Sequence, residues 1–511
     1  MRVLGCNKYV NQKSNDYDLQ PKKNVNLHKQ HIMKKFILLF LITFIATHSF
    51  AQVKKWTLEE CVNYAIKNNI SIKNSELDSR TALIEKNTAF GNFLPTINAN
   101  GTHSWNIGLN QNITTGILEN QTQQNTALGL NVGVTIYNGL QNQNRFRRAN
   151  LSIIAAQYQI SKIKDDVSLN VANAFLQILF NKENLKVQNQ QLANNQKQLI
   201  RSTTLVDAGS IPKGDLLDIK ATIASNNQNV VLAENNLFLS KLSLAQLLQL
   251  PDYQDFDIDD TLIIDANKNE ILSQKPEDIL KKAKEIRYEL KIAKANLELS
   301  EKDVKIAKGA FQPTLNAFYG FNTRASYNDR VIGITPNTTN PSTPIGFVNA
   351  TGQTVSQPNF SPVLGNAEPV FNQFSDFKGN SFGLQLTIPI LNGFQTKNNV
   401  ARNKVNLDRN KITMQQSELD LERNVYTAIV NAKTAISAFE SAKTALEARQ
   451  NAMNYAKERF EVGMMNSFDF NQSELLFANA QSEVLRTKYD AIFKIKIVEL
   501  YFGIPIAVDK F

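Results

Sequence analysis

The charged residues best placed for chemistry stand just past two glycines. Asp215 and Asp218 follow Gly209 by six and nine residues, and Asp469 and Gln472 follow Gly463 by the same distances. Acids here can cap the starts of helices, where unpaired N–H groups and the helix dipole favour negative charge. If copies of the chain gather around an axis, the same acids form a ring. Charges held within the ~8 Å Debye length repel one another and attract cations. The two roles are compatible. Catalysis fits less well, because His103 is the only histidine after residue 51 and no Cys cluster, Gly-rich phosphate loop or nucleophile motif occurs. The acidic run PDYQDFDIDD (251–260) offers oxygen ligands for Ca²⁺, but it lacks the spacing of a calcium loop and reads as a solvated linker. The expectation is a protein that is not an enzyme, with no cofactor and no metal site.

The elements that carry these residues occur twice. LGLNVGVTIYNGLQNQNRFRRANL (128–151) and FGLQLTIPILNGFQTKNNVARNKV (382–405) each run an alternating strand through Asn-Gly into a long polar helix, 254 residues apart. Upstream, the segment from Trp56 to Phe93 matches the one from Lys275 to Phe311 at an offset of 218. Each reads as one amphipathic helix, opened by Thr57 or Pro276 and ended by a proline, Pro95 in FLPTI and Pro313 in FQPTL. A repeat of this length favours one elongated body of two similar halves.

Charge and targeting set the compartment. The net charge of +10 is concentrated in residues 1–51, and without them 48 basic and 44 acidic residues remain, so nucleic acid is excluded as a partner. Residues 33–51 (MKKFILLFLITFIATHSFA) form a signal peptide with cleavage expected before Gln52, and residues 1–32 read as a non-native or untranslated leader before Met33. Beyond Ala51 no run of 18 apolar residues occurs, which leaves a barrel as the way to span a membrane. Cys61, alone after residue 51, reads as a buried helix residue.

Strands are expected at about 94–110, 127–137, 313–323 and 380–391. Leu128, Leu130, Val132, Val134 and Ile136 share one face, and Phe382, Leu384, Leu386, Ile388 and Ile390 share its copy, against small or polar residues on the other side. Strands of about 10 residues with this pattern suit an outer-membrane barrel, although a half-buried strand in a soluble sheet shows the same period. Four strands fall short of the ~8 that close a membrane barrel, so the chain must oligomerise. The segment 111–126 reads as a short loop, and 324–379, rich in Pro, Asn and Thr, as a long irregular outer loop or a disordered insert.

Long helical hairpins follow, at about 140–250 and 394–502. Val171, Ile178, Leu185, Leu192, Leu199 and Val206 step by seven, as do Val425, Ala432, Phe439, Leu446, Met453 and Phe460. Gly209 and Gly463 reverse the chain where a positive φ is needed. The repeats are expected at 52–274, ending in the acidic linker 251–275, and at 276–511.

These motifs resemble those of the TolC-like outer membrane efflux protein family. WTLEECVNYAIKNN, FLPTI and FQPTL, IYNG and ILNG, and RFEVGMMNSFDFNQSELLFANAQ carry the resemblance over essentially all of 54–502. It implies a mainly α fold with a small β part: a trimeric outer-membrane β-barrel, four strands per chain, continued by a long α-helical coiled-coil barrel. It further implies a homotrimer that touches outer-membrane lipid and docks a periplasmic adaptor and an inner-membrane transporter. Residue by residue, Asp469, Gln472, Asp215 and Asp218 fall at the periplasmic gate, with an amide in place of the family's inner acid. Asp207, Ala208, Gly209, Val462, Gly463 and Met464 fall at the adaptor-docking tip. Met465 and Phe460 replace the Arg and Tyr of the family's closing link, so closure here rests on packing or other polar contacts. Asn138, Gly139, Asn392, Gly393, Pro95 and Pro313 mark the barrel–tunnel junction. The implied function is an exit duct for efflux or type I secretion, of undetermined cargo. A purely structural coiled-coil envelope protein is the alternative, though it has no use for lipid-facing strands.

Overall fold

The computed structural model describes residues 55–111, 116–251, 253–260 and 270–506. The leader 1–32 and signal 33–51 lie outside the described residues.

Each half opens with two helices rather than one. Thr57 and Glu60 form a capping box at the start of α1 (Leu58–Asn68), which buries Leu58, Cys61, Val62 and Ala65. Asn69 then turns extended, accepts a bond from the Ser71 N–H and starts α2 (Ile70–Gly91). The expected continuous helix is therefore broken, because an Asn side chain can cap a new helix at the point where the chain bends. The second half breaks between α5 (Pro276–Ile286) and α6 (Tyr288–Gly309), at buried Arg287. There the guanidinium binds Asp165 of the neighbouring long helix and Glu289 instead of capping.

Four strands form one antiparallel sheet in the order β10 (Gly379–Thr387), β5 (Thr314–Ser326), β3 (Leu118–Asn138) and β2 (Thr96–Gln111). Its register sorts residues by face. One row across the sheet reads Ile97, Val132, Tyr319, Phe382, and the next reads Asn98, Asn131, Gly320, Ser381. Ile136 stands opposite no residue of β5, because the ladder has a bulge between Thr135 and Tyr137.

Three boundaries differ from the sequence expectation. β3 begins at Leu118 rather than near 127, and its ladder with β2 continues to Gln111 opposite Leu118, so much of the expected loop is strand. There both faces are polar, so hydropathy loses its period while the backbone ladder persists. β10 stops at Thr387, short of residue 391, because its partner β5 starts at Thr314. The segment 324–379 is not irregular: β6 (Arg330–Pro336) pairs with β9 (Phe360–Gly365), and β7 (Ser342–Phe347) pairs with β8 (Thr354–Pro358). Two-stranded ribbons consist only of edges, which is where proline is tolerated. The short helix α7 (Val370–Asp376) then returns the chain, tied to β5 by the Thr323 hydroxyl donating to the Phe374 carbonyl.

The helical part consists of α3 (Gln141–Asp207) and α8 (Gln395–Glu461), 67 residues each, with α4 (Lys213–Leu248) and α9 (Ser467–Phe502), 36 each. At 1.5 Å per residue the long helices reach ~100 Å. Below the sheet they pack in the order α8, α6, α3, α2, matching the strand order above, and toward the tip in the order α4, α3, α9, α8. Each half has a core, one around Val171, Phe175, Ile178 and Leu248, the other around Val425, Ala432, Ile279 and Val498. The acidic run is not merely a solvated linker. β1 (Lys55–Trp56) pairs with β4 (Asp257–Ile258), and Ile258 is fully buried. Lys182 and Lys241 hold Asp257 at 2.8 and 2.9 Å, so its pKa is lowered even though burial opposes ionisation.

Candidate functional site

The tip turns are built alike. α3 ends on Asp207 and is followed by Ala208, then Gly209 at φ +72°, with the Ser210 N–H bonded to the Leu205 carbonyl at 2.8 Å. After α8 come Val462 and Gly463 at φ +78°, with the Met464 N–H bonded to Arg459 at 2.8 Å. Both are left-handed glycine caps that satisfy the last carbonyls of a helix.

The acids then take their places on the returning helices. Asp469 lies in the first turn of α9 and is exposed; its N–H donates to Asn466 Oδ1, and Asn466 Nδ2 donates back to its carboxylate at 2.9 Å. Asp215 lies in the first turn of α4, with its N–H on the Pro212 carbonyl. Asp218 and Gln472 come together in one groove of about 580 Å³ between α3, α4 and α9, whereas Asp215 and Asp469 lie outside it. The groove is lined by amides, including Asn195, Asn226 and Asn471.

Three features here were not foreseen. Phe460 stacks flat on Phe470, with ring centroids 4.7 Å apart, which packs the end of α8 against the start of α9. Arg201 of the first hairpin reaches Glu461 of the second, bonding its carbonyl at 3.2 Å and its carboxylate at 3.6 Å. Glu474 is buried, one of its oxygens has no hydrogen-bond partner, and burial raises its pKa to about 7 against the opposing charge of Lys457. Its signal in the sequence is position: Glu474 falls between Phe470 and Phe477 on an apolar seam. The seam itself also departs from the heptad expectation, since Leu185, Leu192 and Leu199 are half-buried near the tip while Asn195 and Ser202 are buried.

The junction residues sit where strand becomes helix. Pro95 and Pro313 immediately precede β2 and β5. Asn138 ends β3, its side chain bonded to Asn142, and Asn142 reaches the Asn92 carbonyl at 2.8 Å. Asn392 bonds Thr396 in the same way. Two left-handed residues follow in each copy, Gly139 with Leu140 and Gly393 with Phe394. The turn therefore strains a non-glycine residue that the Asn-Gly motif did not reveal.

Comparison with curated protein sequences gives no match. The fold is similar to that of the Campylobacter jejuni CmeC outer membrane channel (TM-score 0.65, 18% identity, 87% of this chain and 85% of that one). It is also similar to the outer membrane protein VceC from Vibrio cholerae (TM-score 0.66, 13% identity, 87% and 96%) and to a membrane protein from Pseudomonas aeruginosa (TM-score 0.68, 15% identity, 87% and 90%). The profile of the family described as outer membrane efflux protein matches residues 61–249 and 279–492, one stretch in each half and together most of the sequence. The chain belongs to the outer membrane efflux protein family.

Proposed function

We propose that three copies of this chain close a barrel in the outer membrane and a tunnel beneath it, giving solutes passive exit from the periplasm. In this reading an inner-membrane transporter and a periplasmic adaptor deliver cargo to the tip. One observation carries it: sheet and helical layer share one order and are open at the same two edges, β10 with α8 and β2 with α2. Both helical edges expose apolar residues seven apart, Ile70, Leu77 and Ile84 on α2 and Val405, Ile412 and Leu419 on α8. Such stripes need a partner. The apolar face of the sheet meets lipid and the Asn-rich face lines water.

At the tip, Asp215, Asp218, Asp469 and Gln472 form the periplasmic gate, and the turns 207–209 and 462–464 offer the docking surface. The Arg201–Glu461 link joins the two hairpins, and the Phe460–Phe470 stack ties the two helices of the second hairpin to each other, where the family's usual link is replaced. The test is conductance of the purified protein in planar bilayers, with drug susceptibility of a deletion strain beside it. Stable conductance steps are expected. A protein that assembles in the envelope yet never conducts would leave the structural-spacer reading.

A further inference from the structure

A cavity of about 340 Å³ opens between the two hairpins near the tip, walled by α3 of the first and by α8 and α9 of the second. That volume suits a small molecule. Its apolar wall is built from Phe470 and Phe477 of α9 and from Met453 and Phe460 of α8. Two buried polar groups interrupt that wall. Glu474 of α9 is only 8% exposed, and its Oε2 has no hydrogen-bond partner among the described residues. From the other hairpin, Gln198 of α3 brings a buried Nε2 that is likewise without a partner among them. An acceptor and a donor left unpaired in one cavity each cost folding free energy, which a ligand that supplies both partners recovers.

The charges around the cavity favour a cation at Glu474. Lys197 and Arg201 face it from α3, and Lys457 and Glu461 from α8. Arg201 is engaged by Glu461, while Lys197 and Lys457 are exposed, where solvent and salt screen them. Burial raises the Glu474 pKa to about 7 against the opposing charge of Lys457. Once ionised, Glu474 therefore lacks the close cation that buried carboxylates ordinarily have. Aromatic rings beside a carboxylate suit an ammonium group, which the ring faces also attract.

We infer that this cavity binds a small aromatic amine that carries a hydroxyl. The ammonium pairs with Glu474, the hydroxyl oxygen accepts from Gln198 Nε2, and the ring lies against Phe470 and Phe477. The two polar partners come from different hairpins, so the occupant ties α3 to α9. Both hairpins belong to one chain, and the site does not depend on how copies assemble or on whether they conduct.

Calorimetric titration of the full-length protein in detergent tests the site with phenylethanolamine. Phenethylamine lacks the hydroxyl, α-phenylethanol lacks the amine, and mandelate has a carboxylate in its place. At pH 8 phenylethanolamine should bind once per chain and ~10-fold or more tighter than α-phenylethanol, the margin expected of one charge-assisted hydrogen bond. Glu474→Gln should erase that margin, and Gln198→Leu should erase the smaller margin over phenethylamine. Each variant removes a group that has no partner within the chain, so both should fold as before. Because the ammonium needs the carboxylate form, lowering the pH from 8 to 6 should weaken phenylethanolamine ~10-fold in the wild type and leave Glu474→Gln unchanged. The site is overturned if none of the four compounds binds, if mandelate binds as tightly as phenylethanolamine, or if either variant keeps its margin.

Discussion

Val132→Lys tests the membrane face most directly. Val132 lies between Ile97 and Tyr319 on the apolar face of the sheet, six residues from Asn138, where β3 ends. At ~3.3 Å per residue and a tilt of about 45°, that is ~14 Å above the inner end, close to the middle of a lipid band about 25 Å tall. A lysine there costs roughly 2–4 kcal/mol per chain, or ~6–12 kcal/mol over three copies. Asn131→Lys is the matched control: one residue away, it lies on the opposite face between Asn98 and Gly320. Denaturant unfolding from lipid vesicles reads both. Val132→Lys should reduce the folded-to-unfolded ratio ~30-fold or more, at 1.4 kcal/mol per factor of ten, whereas Asn131→Lys should shift it little. Equal shifts for the two variants would refute the assignment of faces.

Three further outcomes follow from the site. Gly139→Ala combines a positive φ with an added Cβ 2.1 Å from the Gly309 carbonyl oxygen, so thermal unfolding should show a loss of at least ~2 kcal/mol. Glu474 has a folded pKa of about 7 against an ordinary 4.5, so the folded chain takes up a proton and stability falls as pH rises through that window. Lys197 and Arg201 of α3 and Lys457 and Glu461 of α8 border the same cavity. Glu474→Gln should flatten a slope worth at most about 3 kcal/mol between pH 4.5 and 7, and an unchanged melting profile would remove Glu474 as its source. Asp469→Asn should weaken cation preference or cation block in single-channel recordings, and identical traces would take it out of the gate.

Much of the architecture was legible in residue patterns. Period two in 128–136 and 382–390, period seven along the long helices, and the Asn-Gly, Leu-Pro and Gln-Pro punctuation located strands, helices and turns to within a few residues. The failures have local causes. The outer end of β3 is polar on both faces, so its ladder left no hydropathic trace. The breaks at Asn69 and Arg287 depend on a cap and on a buried ion cluster that unites residues 122 apart in sequence. The ribbons within 330–365 are held by backbone pairing between prolines that read as loop.

The sequence alone determined that this protein is a duplicated strand-and-helix unit with apolar residues on one sheet face and along helix seams, because periodicity is a local property of covalent spacing. Only the tertiary structure decided which edges remain open, which glycines touch backbone and where Arg201, Glu461 and Glu474 meet, because these depend on residues brought together from hundreds of positions apart. The acidic positions past Gly209 and Gly463 were visible in the sequence. That Asp218 shares a groove with Gln472 while Asp469 stays exposed beside Asn466 is a consequence of how the two hairpins pack.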